Sequence, residues 1–432
     1  MLFMSVLHIA ISAWLAVSVQ AAWYNMFTSF LPGSSKSHQL VHKEIPVPPI
    51  PVKSPFRNTK ASSDAILRHR KLYTIMTIGS QGDVQPYIAL CLGIIHRLGH
   101  RCRIATHKTY ETWIKDYGVE FGELYGDPKD LMQLMTRHPD GAMSFAFLRD
   151  ALTQHVSFIA RLLESSVKAT RDTDILIDTP PCFAGPHLAT MMTRDRARLG
   201  KPPVAYFRTM PFPWTSTGVF PHPMVPEQDS LVEQFFFPHR LFRSQPQANL
   251  ASYRKMLRSM NAAAFILVNK WRMQKLGLPP TVSGVTRTDL VPFLYSFSEH
   301  VVPRPNDWQP WVHLCGYWFL DPLPTQPIDE HPQALVDFLK ADPSRTIYVG
   351  FGSVPVPDPV QATQEIIQAA TQAGIRLVFA LGWSMPDERN VEFGPDPRPN
   401  HVYIVKSVPH SWLFPKVSAV IHHGVCPFLL VQ

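Results

Sequence analysis

The chain has 432 residues, room for two or three domains, and 45% hydrophobic with 17% charged residues is a globular composition with ample core material. The 41 basic and 33 acidic residues leave a net charge of +8, yet no block of consecutive basic residues occurs. Nucleic acid is therefore excluded as the expected partner, while a general attraction to anionic membrane surfaces is not.

In chain order, Met1 to Leu31 contains no Lys, Arg, Asp or Glu and carries an apolar core from Ile9 to Val19 followed by Val19-Gln20-Ala21. It reads as a signal peptide with a small-residue cleavage site, without the usual basic start. Left uncleaved, Ile9 to Phe30 is long enough for a membrane anchor. Residues 32–70 hold six prolines by Pro55, then a Ser/Lys/Arg stretch without periodicity, and read as a linker. The 42 prolines of the chain, about twice the usual ~5%, concentrate in such connections. Cys91, Cys102, Cys182, Cys315 and Cys426 show neither metal nor redox spacing, so buried free thiols in a reducing compartment are expected.

Tyr73 to Ile78 is an apolar, β-branched run and reads as a buried parallel strand. Gly79-Ser80-Gln81-Gly82-Asp83 is a tight turn, and Val84, Ile88, Cys91, Leu92, Ile95 and Leu98 then recur at helical spacing up to Gly99. Arg101 to Thr106 is the next strand. Such a βαβ unit places its ligand at the carboxyl ends of the strands. The turn lacks a third glycine, which argues against a dinucleotide-binding fingerprint. Asp83 opens the helix, where it serves either as a cap or as a catalytic base. His107, at the end of the next strand, either reaches the same cleft or faces solvent.

The alternation continues with a short helix over 109–117, a strand at 119–121, a helix over 145–170 and strands at 174–178 and 204–208. A proline-rich loop then gathers Phe212, Trp214, Phe220 and His222, as packed surface cover or as a ligand wall. A strand over 291–298 closes this unit, taken as 71–302. The seven prolines between Val302 and Pro332 mark an interdomain connection, 303–332. From residue 333 the pattern repeats: a helix over 333–341, a strand over 346–351, the Gly352-Ser353 turn, a helix over 360–373, and strands at 376–381, 402–405 and 419–421 before His422-His423-Gly424.

The run GSQGDVQPYIALCLGIIHRLGHRCRIATH resembles the N-terminal signature of sterol 3-β-glucosyltransferases, members of the UDP-glycosyltransferase superfamily with the GT-B fold. That family usually has Arg where this chain has Gln81. ATHKTYETW, YGVEFGELYGDPKDLM and AGPHLA follow its pattern in position and order, whereas TMMTRDRARLGKPP is longer and more basic than its usual turn. The resemblance implies an α/β protein of two Rossmann-like domains facing across a cleft, the first binding the acceptor and the second, 333–432, the nucleotide sugar.

It further implies an inverting UDP-glycosyltransferase that moves glucose from UDP-glucose to the hydroxyl of a sterol or related lipid. UDP-glucose is then a co-substrate, no cofactor or metal is needed, and the work is done at a membrane, at its cytosolic face or through the N-terminal segment. In that picture Asp83 is the general base, with His107 beside it. Ser80, Gly352, Ser353, Trp383, Ser384, Val408, His410, His422, His423 and Gly424 hold the nucleotide sugar. Phe212 and Trp214 wall the acceptor, and His222 either contacts its hydroxyl or is an ordinary loop histidine. The family pattern continues past the glycine with GAGTT where this chain reads VCPFLLVQ, so the second domain reads as truncated. The alternative is a truncated, non-catalytic lipid-binding relative or an incomplete gene product.

Overall fold

The computed structural model describes residues 70–130, 132, 156–223, 225, 244–281, 291–321, 333–353, 356, 358–380, 382–384, 400–405 and 408–422. The leader, most of the 32–70 linker, the first part of the 145–170 helix, His423 and Gly424 lie outside the described residues. The first unit is built from β1 (Leu72–Met76), α1 (Gln81–Leu98), β2 (Arg101–His107), α2 (Glu111–Asp116), β3 (Glu120–Leu124), α3 (Val156–Ala169), β4 (Ile175–Asp178), α4 (Gly185–Arg198), β5 (Ala205–Met210), α5 (Gln245–Trp271), β6 (Phe293–Tyr295) and β7 (Val312–Leu314). All its strand pairs are parallel, in the order β3-β2-β1-β4-β5-β6-β7.

Apolar strands with helices on their faces account for that sheet. Ile75, Met76, Ile104 and Leu176 are fully buried and meet the inner faces of α1, α3 and α4. On α1, Val84, Ile88, Cys91 and Ile94 form the buried stripe, and truncating one such residue, Ile88→Ala, costs about 2–5 kcal/mol. Gly99, at φ +68°, ends the helix in the left-handed conformation. The basic segment 189–203 is helical in α4 up to Arg198 and then a turn leading to β5, tied down by Arg196, which donates to Asp174 at 2.8 Å and to the Pro202 carbonyl at 2.7 Å.

Two expectations are corrected. Part of the segment read as an interdomain connection belongs to the first unit, because Val312 to Leu314 pair with β6 and Trp308 is buried against Tyr295. Its apolar residues obtain more burial there than a bare linker allows. Cys91 and Cys102 are not free thiols either. The helix lies on the strand with their Cα atoms 5.4 Å apart, within bridging range, and they form a disulfide. Cys182 is a buried thiol and Cys315 an exposed one.

The second unit contains α6 (Gln333–Ala341), β8 (Thr346–Gly350), α7 (Pro359–Ala373), β9 (Arg376–Ala380), β10 (Val402–Val405), the single turn α8 (His410–Leu413) and β11 (Ala419–His422). Its parallel sheet runs β10-β9-β8-β11. The described residues are thus α/β with two parallel sheets, each with its own core. Among the described residues no helix is long and apolar enough to cross a membrane.

Candidate active site

Strand order locates the two ligand crevices. In the first sheet the winding reverses between β1 and β4, and in the second between β8 and β11. At such a switch point the loops leaving the carboxyl ends diverge and open a crevice. The segment after β1 carries Ser80 and Asp83; the one after β8 carries Gly352 and Ser353, with His422 on the neighbouring strand.

At the first crevice, Gly79 adopts φ +130°, and a Cβ there would overlap the Asp83 carboxylate, so this turn requires glycine. Asp83 is the third residue of α1. Its Oδ2 accepts from the Ser80 main-chain N–H at 2.7 Å and from the Ser80 hydroxyl at 3.1 Å. Burial pushes its carboxyl above the ordinary value of 3.8, against the two Ser80 hydrogen bonds that pull it down. Asp83 thus closes a capping box as the third helical residue, with Ser80 as the N-cap, and this contact leaves the base reading open. Ser80, assigned to the nucleotide sugar, is instead buried and bonded to Asp83, because an N-cap residue lies within reach of the third helical residue.

Around Asp83 the strand ends bring together residues that the sequence did not single out. The Tyr87 hydroxyl, one helical turn on, is fully buried beside Thr209 and feels the charges of Asp83 and Asp178. Asp178 ends β4. Its Oδ1 accepts from the Tyr206 hydroxyl at 2.7 Å and from Arg208 Nε at 3.2 Å, with both charged groups almost fully buried. Burial pushes the Asp178 carboxyl up, opposed first by the Arg208 charge. A Cβ at Gly185 would overlap Asp178 Oδ2, so that glycine lets α4 begin against the carboxylate. The available signal was an acid and an arginine closing the apolar strands ILID and VAYFR, where a charge must be paired.

His107 is fully buried, which removes the solvent-facing alternative. Burial holds its imidazole down to about 4, with the Gly126 backbone and Asp127 opposing. Gly126 and Asp127, in the segment after β3, lie near the ring, although neither ring nitrogen makes a hydrogen bond among the described residues.

The aromatic loop is mostly packed cover. Trp214 and His222 are buried in the core, the imidazole lying edge-on between Trp214 at 4.9 Å and Tyr253 at 5.0 Å. Burial pushes the His222 ring down to about 3. The Tyr295 hydroxyl accepts from the backbone N–H of Trp214 and Thr215, and Asp307 accepts from Thr217 and Gly218. This clamping turns both rings inward, where their area is buried in the protein. Phe212 stays half-buried at the rim of the same cluster.

At the second crevice the turns after β8 and β9 touch. Trp383 N donates to the Gly352 carbonyl at 2.8 Å, and Gly382, at φ +59°, lies so close that a Cβ would overlap the same oxygen. Gly352, Ser353, Trp383 and the backbone of Ser384 therefore share one edge. His422 is in register with Gly350, the last residue of β8. His410 Nε2 lies 3.3 Å from the Tyr348 hydroxyl and its ring stacks on Phe414 at 4.8 Å. Burial, and secondarily the His422 charge, hold His410 down to about 4. Val408 is buried in the core of this unit, so its side chain faces the protein and only its backbone remains for a ligand.

Comparison with known proteins gives the following. Residues 73–192 match the glycosyltransferase family 28 N-terminal domain. The chain is 37% identical over 358 residues to a sterol 3-beta-glucosyltransferase of Pichia angusta, covering 82% of this chain and 26% of that protein. It is 36% identical over 372 residues to the Komagataella phaffii sterol 3-beta-glucosyltransferase, covering 85% and 28%. The chain thus spans about a quarter of the length of the curated relatives it matches. Among solved structures it is similar to CalG4, the calicheamicin glycosyltransferase, at 16% identity and a TM-score of 0.45, covering 84% of this chain and 77% of that one.

Proposed function

For a chain with a glycosyltransferase family 28 N-terminal domain that aligns with sterol 3-beta-glucosyltransferases over four fifths of its length, we propose transfer of glucose from UDP-glucose to the hydroxyl of a sterol or related lipid, with inversion. The observation that carries the reading is Asp83 at the β1 switch point, held by Ser80 with its carboxyl raised by burial. A carboxylate so raised is a stronger base than a solvated one.

In the reaction Asp83 takes the proton of the acceptor hydroxyl as its oxygen forms a bond to the anomeric carbon. The bond from that carbon to the UDP oxygen breaks on the opposite face, and its electron pair leaves with UDP. The product is a β-linked glucoside. Charge building on the departing diphosphate is met at the second crevice by backbone N–H groups near Gly352 and Ser353 and by His422. His423 and Gly424, outside the described residues, are assigned to the same diphosphate on the sequence resemblance alone. His410 and Trp383 border it, and the Val408 backbone frames the base. Phe212 walls the acceptor, while Trp214 and His222 hold the Phe212 loop in place. His107 lies near Gly126 and Asp127. UDP-glucose is a co-substrate, no metal or other cofactor takes part, and the lipid acceptor places the work at a membrane.

The test is incubation of the purified chain with labelled UDP-glucose and detergent-dispersed ergosterol. Labelled glucoside is the expected result. Absence of glucoside together with absence of UDP-induced thermal stabilisation would overturn the reading.

A further inference from the structure

The long helix α5 and the turn that continues it are chemically one-sided. From Gln245 to Leu276 the chain carries Arg254, Lys255, Arg258, Lys270, Arg272 and Lys275 and no acid at all. Its inner face, with Tyr253, Met256, Met260, Val268 and Trp271, is buried in the two cores of the first unit. On the outer face Arg254, Leu257, Arg258 and Phe265 stand at i, i+3, i+4 and i+11, which the 3.6-residue period puts in one stripe. Ile266 flanks it. Leu257 is 36%, Phe265 41% and Ile266 74% exposed, and Met273 beyond the helix end is 51% exposed. Arg272 turns inward to His187 at 2.6 Å and Lys275 meets Glu164 at 2.6 Å, while Arg254, Arg258 and Lys270 are exposed.

We propose that this face docks on an anionic lipid bilayer. Leu257, Phe265 and Ile266 enter the boundary between headgroups and acyl chains, and Arg254, Arg258 and Lys270 meet lipid phosphates. Single exposed apolar residues are ordinary on protein surfaces, but here Leu257 and Phe265 share a stripe with Arg254 and Arg258, and Ile266 and Lys270, one turn apart, adjoin it on the flank. A polyanion such as RNA matches the charge and leaves Ile266 and Leu257 without a partner; a charged bilayer surface satisfies both.

The helix is also tied to the loop bearing Phe212. Asn249 donates to the Gly218 carbonyl at 2.9 Å, and the His222 N–H donates to Ser252 at 2.7 Å. Docking through α5 therefore brings the acceptor loop to the surface that holds a lipid acceptor. The inference deepens the proposed function by naming where the acceptor is met.

The experiment is co-sedimentation of the full chain with vesicles of phosphatidylcholine alone or with phosphatidylserine, at low and high salt and without donor. Binding is expected to the anionic vesicles and to fall with salt. The Arg254→Gln/Arg258→Gln variant is expected to lower the partition coefficient roughly 30-fold at low salt, from about 1 kcal/mol per arginine. Phe265→Ser/Ile266→Ser should also weaken binding, and thermal melts confirm for both variants that the loss is read on folded protein. No binding to anionic vesicles overturns the proposal, as does parental binding by both variants. A change of oligomeric state in lipid-free solution would assign the face to a second copy and equally overturn it. If bilayer binding fails while dispersed ergosterol is glucosylated, the function stands and this docking face does not.

Discussion

Asp83 Oδ2 accepts from both the main-chain N–H and the hydroxyl of Ser80, so the carboxylate that closes the first turn of α1 is also the one presented at the β1 switch point. Its pH dependence follows. A base must be ionised, and burial puts the Asp83 carboxyl above 3.8. Activity is therefore expected to be full above that raised value and to fall about tenfold per pH unit below it. Initial rates against pH, with melts showing the chain folded throughout, check the limb. A flat profile in the folded range contradicts it.

His107 makes stability, rather than activity, depend on pH, and in the same direction. Its imidazole stays neutral down to about 4 when folded, whereas an unfolded histidine titrates near ~6.5. Its contribution is full above ~6.5 and is lost as pH falls toward 4, by at most about 1.4 kcal/mol per pH unit. Urea melts of the parent and His107→Phe at several pH values check this. The variant is expected to take up about one proton fewer on unfolding near pH 5.

Asp178 and Arg208 give a third expectation. With the pair almost fully buried, Arg208→Met leaves a carboxyl without its cation and is expected to cost about 3–5 kcal/mol. Adding Asp178→Leu should return part of that loss. Chemical denaturation of the two single variants and the double one measures the coupling, and additive losses would contradict a paired role.

Gly382 tests the second crevice. Any Cβ there meets the Gly352 carbonyl, a backbone atom with little freedom to retreat, at a φ of +59° that disfavours side chains. Gly382→Ala is expected to cost about 1–3 kcal/mol and to weaken UDP-induced stabilisation as the two turns separate. Thermal shift with and without UDP reads both effects.

Much of this was legible in the residues. Runs such as YTIMTI and DILID, buried on both sides, marked the parallel strands, and the 3.6-residue stripe from Val84 to Leu98 marked α1. The Gly79 turn pointed to Asp83 because close backbone approach and a helix start coincide there. What escaped depended on three-dimensional neighbours. Cys91 and Cys102 bear no motif, and only the packing of α1 on β2 brings them together. Asp178, Tyr206 and Arg208 come from two strands that become neighbours only when the sheet is ordered. Trp214 and His222 carry the composition of a ligand wall; Tyr295 and Asp307, about 80 to 90 residues away, turn them inward. The Pro-rich composition of 303–332 concealed a strand because Val312 to Leu314 is short and pairs at the sheet edge.

The most direct measurement compares glucose transfer to ergosterol by the parent and by Asp83→Asn at equal concentration of folded protein. Asparagine keeps an oxygen for the Ser80 N–H but cannot take a proton, so the melt should stay nearly unchanged while the rate falls about 10²- to 10⁴-fold. Transfer by Asp83→Asn within about threefold of the parent, far less than loss of a general base entails, would contradict the account.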